Sequence, residues 1–274
     1  MNNNECLICK KPMKKIASNG TYDYLKCKGC NWYSTIQVAE AKEGIDYDEY
    51  ETFDNNIKEY DRLVKDAERI LKHKFEMLGK VPGSFLDIGT SEGVFVNAYN
   101  NISGTTNGCG VEVSRPKIER AVRRGLNVVH FDEMGDGTYE FILMRHVIEH
   151  IENPLEYLRY ISRWLATDGI LCVETPHNDC WIHKLRGSHI NDINRDKYVR
   201  ELYPPVHVCG FTPRSLRKIG GGVCGLKVVR LETYDNSNRD FVYTKDARTA
   251  NIPIYRRLFE QMKVGPNIMI FFKK

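Results

Sequence analysis

From Ser84 to Pro176 the chain alternates short apolar runs with amphipathic stretches, and few folds satisfy that alternation. "SFLDIG" reads as a strand and "EGVFVNAYN" as a short helix. "NGCGVEVS" is a second strand, followed by the helical "RPKIERAVRRG", which Ser114 can cap and Gly125 can close. "LNVVHF", "YEFILMRHV" and "GILCVETP" are the third, fourth and fifth strands. Ahead of the fifth, "NPLEYLRYISRWLA" places Asn153 at a helix cap, Pro154 in the first turn, and Leu155, Leu158, Ile161 and Leu165 inward. Strands separated by helices imply a mostly parallel sheet covered on both faces. "TPRSLRKIGG" predicts another capped helix. "LKVVRLETY" and "PNIMIFFKK" then read as two last strands with little helix between them, so an antiparallel final strand is expected.

Two further units precede this run. In "IKEYDRLVKDAERILKHKFEML", residues Ile57, Tyr60, Leu63, Val64, Ala67 and Leu71 recur at helical spacing, and Gly79, Pro82 and Gly83 end the stretch. The first 45 residues hold Cys6, Cys9, Cys27 and Cys30 as two C-x-x-C pairs with 17 residues between them. That spacing suits two knuckles closing on one tetrahedral ion, and four thiolates favour zinc over harder cations. Such a site has no open position, so the expected role is structural. The expected organisation is a zinc ribbon at 1–45, a linker and helix at 46–83, and an α/β domain at 84–274 with an insertion at 177–211.

The remaining five cysteines are scattered, and "MNNNECLICKK" lacks the apolar core of a secretion signal. Reduced thiols and a metal site fit better than a disulfide framework, and a cytoplasmic protein that does not engage a membrane is expected. Residues 184 to 274 carry 18 Lys/Arg against 8 Asp/Glu, although the whole chain is only +4. That basic third suits an anionic substrate or is simply a solvated surface.

Ligands in such sheets sit beyond the carboxyl ends of the strands. After the first strand stand Asp87, Gly89, Thr90, Ser91 and Gly93; at the end of the second, 25 residues beyond Asp87, stands Glu112. Glycines there permit close approach of a ligand, and an acid at that place can accept both hydroxyls of a ribose. "GTSEG" lacks the Lys-Ser/Thr ending of a P-loop, and Glu92 puts negative charge where a dinucleotide would place its pyrophosphate. A cofactor with a ribose and no phosphate is expected, and S-adenosylmethionine is such a molecule.

"FLDIGTSEGVF", "GVEVS", "MRHVIEHIENPLEYL" and "HVCGFTPRSL" resemble, in order and spacing, the class I S-adenosylmethionine-dependent methyltransferases, and most nearly the ubiquinone O-methyltransferase-like and sugar-modifying branch. The resemblance implies a Rossmann-like sheet over residues 84 to 274. It also implies that Asp87, Gly89 and Gly93 cradle the methionine part of the cofactor and Glu112 its ribose. His130, Phe131 and Asp132 would meet the adenine, and Arg145 and His146 would lie near the sulfonium or amino-acid part. A four-cysteine ribbon ahead of that domain is similar to nucleotide-sugar C-methyltransferases, although this sequence ends without their extra C-terminal domain.

Methyl transfer to a hydroxyl or carbon acid calls for a base, and histidine titrates near neutrality. The candidates are His146, His150, His177 and His207, of which His150 and His207 are favoured, with Glu149 as an orienting or substrate-binding group. In the insertion, Trp181, Arg186, Arg195, Lys197 and Tyr203 are the candidate substrate contacts, guanidinium groups being suited to phosphate or carboxylate. The reading is methylation at O, N or C of a small anionic or sugar-linked acceptor, such as a nucleotide sugar or polysaccharide precursor. Ribosomal or transfer RNA methylation is the alternative, since a bacterial ribosomal RNA guanine methyltransferase also joins a zinc module to this fold. With seven Lys against four acids and little Arg-aromatic interleaving, residues 1–45 rank it second. A third reading is a cofactor-binding but inactive domain with a zinc-dependent interaction module.

Overall fold

The computed structural model describes residues 5–40, 57–180, 207–234 and 265–274. Three strands open the chain: β1 (Met13–Ser18), β2 (Tyr22–Cys27) and β3 (Tyr33–Gln37). They pair antiparallel in order, and a two-residue strand, β9 (Cys209–Gly210), adds to the free edge of β3.

The larger sheet has the order β10-β11-β8-β7-β4-β5-β6. Its members are β4 (Phe85–Ile88), β5 (Gly108–Glu112), β6 (Val128–His130), β7 (Tyr139–Arg145), β8 (Leu165–Pro176), β10 (Lys227–Tyr234) and β11 (Asn267–Lys273). β4 to β8 are mutually parallel, and β11 runs antiparallel to both β8 and β10. Order reverses at β4, which lies between β5 and β7, so the crevice for a ligand opens beyond the C-terminal ends of β4, β5 and β7.

Alternation along the strands sorts the core into two faces. Phe85, Phe141, Leu143, Cys172, Met269 and Phe271 face α1 (Ile57–Leu78), which buries Tyr60, Val64, Ala67, Leu71 and Phe75 against them. Ile57, expected on that stripe, begins the helix and is exposed. Leu86, Ile88, Ile142, Met144, Leu171, Val173, Ile268, Ile270 and Phe272 face the other way, toward α4 (Pro154–Ile161) and α5 (Pro213–Val223). Cys6, Cys27, Cys30 and Trp32 of the N-terminal segment join this second cluster.

The helix starts follow their caps. Ser114 accepts from Lys117 N at the head of α3 (Arg115–Arg123), and Asn153 from Glu156 N at the head of α4. Thr212 and Ser215 form a reciprocal capping box on α5. α2 (Val94–Ser103) begins two residues later than the apolar pattern predicted, because Gly93 stands ahead of it in the left-handed region.

Candidate functional site

The loop after β4 is built around Gly89 and Gly93, at φ 70° and 81°. A Cβ on Gly89 would also fall 2.5 Å from Val147 Cγ2, whereas at Gly93 the left-handed φ is itself the requirement, the nearest atom being the movable end of Leu126, Cδ1 at 2.6 Å. Ser91, between them, is itself left-handed at φ 53°. Its amide donates to Glu112 Oε2 at 2.8 Å, while Glu112 Oε1 accepts from Val113 N at 2.8 Å and Ser114 N at 3.1 Å. The acid at the end of β5 therefore ties the two loops together and keeps acceptor capacity, since a carboxylate offers about four lone-pair sites.

Glu92 does not project into the crevice, contrary to the expectation from sequence. Its carboxylate is fully buried against Arg120 and Arg124 beyond α3, at 3.4 and 2.8 Å. The Arg124 guanidinium in turn lies 4.2 Å over the Tyr60 ring, and the Tyr60 hydroxyl donates to Glu92 O at 3.4 Å. Thus α1 holds the glycine loop from behind.

Asp87, at the end of β4, is almost wholly buried. Burial raises its pKa to about 7, with the nearby Thr90 hydroxyl and the charge of Arg145 opposing and Glu112 and Glu174 assisting. Arg145 is turned to Glu174, its Nε donating to Oε2 at 2.8 Å. Phe131 is half-buried and stacks on Tyr157 with centroids 5.2 Å apart and planes at 15°, beside Tyr160 and Trp164. Asp132 is exposed in the one-turn 3-10 helix Phe131–Glu133, and its amide donates to His130 Nδ1.

The segment after β7 brings the predicted histidines together. His146 has φ 54°, an uncommon conformation for a non-glycine residue, and its amide donates to Glu174 O at 2.9 Å. A single 3-10 turn, Ile148–His150, follows. Glu149 is almost wholly buried; its Oε1 lies 3.3 Å from His146 Nδ1 and its Oε2 accepts from Thr175 Oγ1 at 3.0 Å. Burial alone would raise the Glu149 pKa, but the hydrogen bond and charge of His146, with His207 and His150 nearby, bring it below the ordinary carboxylate value. His207 comes from the other side, its ring 4.8 Å from that of His150. Burial lowers the His207 pKa to about 4, so the ring is neutral at pH 7. His177 stands apart from this group: it is buried, with Nδ1 3.0 Å from Gly265 O.

Long-range contacts without a local sequence signal complete the site. Val208 N donates to Glu149 O at 3.0 Å, and Thr35 N and Oγ1 both donate to Val208 O, at 3.1 and 2.8 Å. Asp179 binds Lys26 Nζ and the Tyr33 hydroxyl. The edge of β3 and the cluster at Glu149 are therefore bridged by residues 207–210. Trp181, Arg186, Arg195, Lys197 and Tyr203 lie outside the described residues.

The four N-terminal thiols meet the demands of a tetrahedral ion. All four sulfurs lie within 4.8 Å of one another, with Cys6 to Cys30 at 3.5 Å and Cys9 to Cys27 at 3.3 Å. Zn–S bonds of about 2.3 Å place sulfurs roughly 3.8 Å apart. The two knuckles share one form: Lys10 N donates to Cys6 O and Asn31 N to Cys27 O, and Lys10 and Asn31 take φ 58° and 59°. A shared hydrogen bond holds the Cys6 thiol down to about 5 and pushes Cys30 up; burial raises Cys27. A dication compensates four thiolates at once.

This geometry is that of the class I methyltransferase fold, and comparison with known proteins agrees. The family model described as "Methyltransferase domain" matches residues 58–231, and the chain belongs to that family. "Uncharacterized protein MJ1123" of Methanocaldococcus jannaschii is 27% identical over 139 residues, 48% of this chain and 65% of that protein. "Probable (S)-tetrahydroprotoberberine N-methyltransferase 2" of Papaver bracteatum is 29% identical over 131 residues, 44% of this chain and 35% of that one. The matches thus span less than two thirds of either relative. Among solved structures, a chain of the Haloferax volcanii complex between the Trm112 methyltransferase activator and a methyltransferase is similar with a TM-score of 0.54. It is 14% identical, with 78% of this chain and 92% of that one covered. The plantazolicin methyltransferase BpumL, in complex with a pentazolic desmethylPZN analog and SAH, has a TM-score of 0.53, 14% identity and coverage of 81% of this chain and 88% of that one. These likenesses describe the fold.

Proposed function

We propose that the protein is a cytoplasmic S-adenosylmethionine-dependent methyltransferase of the ubiquinone O-methyltransferase-like, sugar-modifying branch. Its acceptor is a small anionic or sugar-linked molecule, such as a nucleotide sugar or polysaccharide precursor. The observation that carries the reading is the convergence of three loops at the reversal point of the sheet: the glycine loop, the Glu112 turn and residues 145–150. Asp87 and the backbone at Gly89 to Gly93 receive the methionine part of the cofactor. Glu112 takes the ribose, and Phe131, already one face of an aromatic stack, takes the adenine. The bound cofactor supplies a methyl on a sulfonium, a good leaving group, so the protein has chiefly to align the acceptor and exclude water.

Proton removal falls to the cluster of His146, Glu149, His150 and His207. In this reading Glu149 orients His146, and His150 or His207 accepts the proton from the acceptor. The basic C-terminal third supplies the attraction for an anionic acceptor. The four cysteines hold a structural zinc, which fixes the N-terminal ribbon and takes no part in the chemistry.

Calorimetric titration of zinc-loaded protein with S-adenosylmethionine and S-adenosylhomocysteine, beside Glu112→Ala, tests this reading. Binding weakened by about 1–3 kcal/mol in the variant, the cost of lost charge-assisted hydrogen bonds, is expected. A folded, metal-loaded wild type that binds neither ligand would refute it.

A further inference from the structure

We propose that Glu149, His150 and His207 form a second metal site, which takes a divalent first-row transition-metal ion and presents it to a hydroxyl of the acceptor. The role at the acceptor rests on the methyltransferase reading above; the site itself rests on geometry. One ligand atom from each of the three side chains lies within 4.8 Å of the others. The rings of His150 and His207 meet edge to face, at 69°, with centroids 4.8 Å apart. Two imidazoles that share an ion converge on it through ring edges; stacked rings cannot.

The carboxylate between them is held as a ligand needs to be. Glu149 is 1% exposed, and its oxygens are oriented by Thr175 and His146. One partner on each oxygen leaves lone pairs for a cation. Such outer contacts fix the direction of a metal-bound group and tune its basicity. The backbone is fixed as well, because Val208 N donates to Glu149 O and Cys209 pairs with Ser34 in the β3–β9 ladder. Both histidines are partly exposed. The site is thus closed on the protein side and open on the other, unlike the four-thiolate site. Two nitrogens and one oxygen suit zinc, iron(II), cobalt or manganese, and leave positions for acceptor oxygens.

The site directs methylation to oxygen. With the ion bound, His150 and His207 serve as its ligands and not as the base: the ion lowers the pKa of a hydroxyl placed on it, and the proton leaves to solvent. The oxygen's electron pair then forms the bond to the methyl carbon as the carbon–sulfur bond breaks, and the sulfonium becomes a neutral thioether. No redox partner is needed.

The test uses the full chain adjusted to one zinc per molecule, which the four thiolates retain. Manganese(II) is titrated in and free ion is read by electron paramagnetic resonance; manganese is the weakest competitor for the ribbon. Binding of one manganese per chain is expected, with affinity at least about tenfold lower in His150→Ala, His207→Ala and Glu149→Gln at unchanged zinc content and melting temperature. Absence of manganese binding in the wild type, or binding that all three variants keep, overturns the proposal. S-Adenosylhomocysteine binding is measured on the same samples. Its retention without manganese binding sinks the metal site alone, whereas manganese binding without it upholds the site and sinks the methyltransferase reading.

Discussion

Asp87 shows how much a single environment can change a common side chain. Burial at the end of β4 raises its pKa to about 7, so the free protein holds it partly protonated near neutrality. A cofactor that brings a positive charge favours the carboxylate and drives the proton off. Cofactor binding should therefore release a proton below and around pH 7. Affinity rises with pH through that range and levels off above it. Titrations in two buffers of different ionisation enthalpy read the release directly, and Asp87→Asn should abolish it. Equal heats in both buffers for the wild type would place the cofactor's charge elsewhere. Asp87 and Glu112 were legible as strand-end residues, and Glu149 and His150 as part of the turn after the fourth strand, because each belongs to a short motif; His207, in the insertion, has no such local signal, and its approach to His150 is seen only in the fold. Sequence reading misjudged the orientation of Glu92. The residues that decide it, Arg120 and Arg124, lie on and just beyond the next helix of the chain, and a motif does not say which way a loop carboxylate turns.

Among the elements, β9 has an effect out of proportion to its two residues. It extends the N-terminal sheet through Tyr33–Gly210 and Ser34–Cys209, while the residues just before it contact Glu149. The N-terminal sheet therefore holds the backbone next to His207. Cys9→Ser, or removal of zinc by a chelator, should free β3 and release residues 207–211. Amide hydrogen exchange there should rise, and turnover should fall, while S-adenosylhomocysteine binding persists because the glycine loop belongs to other elements. Unchanged exchange at 207–211 after zinc loss would show that β9 is held without the ribbon. The parallel order of β4 to β8 was legible because each strand and helix carries its own apolar period. The β3–β9 pairing was not, since Ser34 and Cys209 are 175 residues apart, Tyr33 and Gly210 177, and a two-residue strand has no period.

At the scale of the whole molecule, a buried charge network joins both ends of the described catalytic fold. Glu174 on β8 is paired with Lys74 of α1, accepts from Arg145 of β7 at 2.8 Å, and accepts from the Tyr234 hydroxyl of β10 at 2.8 Å. Lys74 is wholly buried and also reaches Met269 of β11. Burial opposes the Glu174 charge, but Lys74 and Arg145 outweigh it and bring the pKa down to about 2. Its unfolded value is about 4.3, so the unfolded chain binds the extra proton between these limits. Stability from Glu174 is then fully present above about pH 4.3 and is lost as pH falls toward 2. Glu174→Gln leaves Lys74 buried without its carboxylate and should cost about 3–5 kcal/mol at pH 7. Below about pH 2 the wild-type group is itself neutral, so the two proteins should approach each other as pH falls toward that limit. Urea denaturation at neutral pH and at about pH 3 reads this: the gap between midpoints should narrow in acid. A gap that stays constant with pH would mean that packing around the side chain, and not its charge, ties α1 to the sheet.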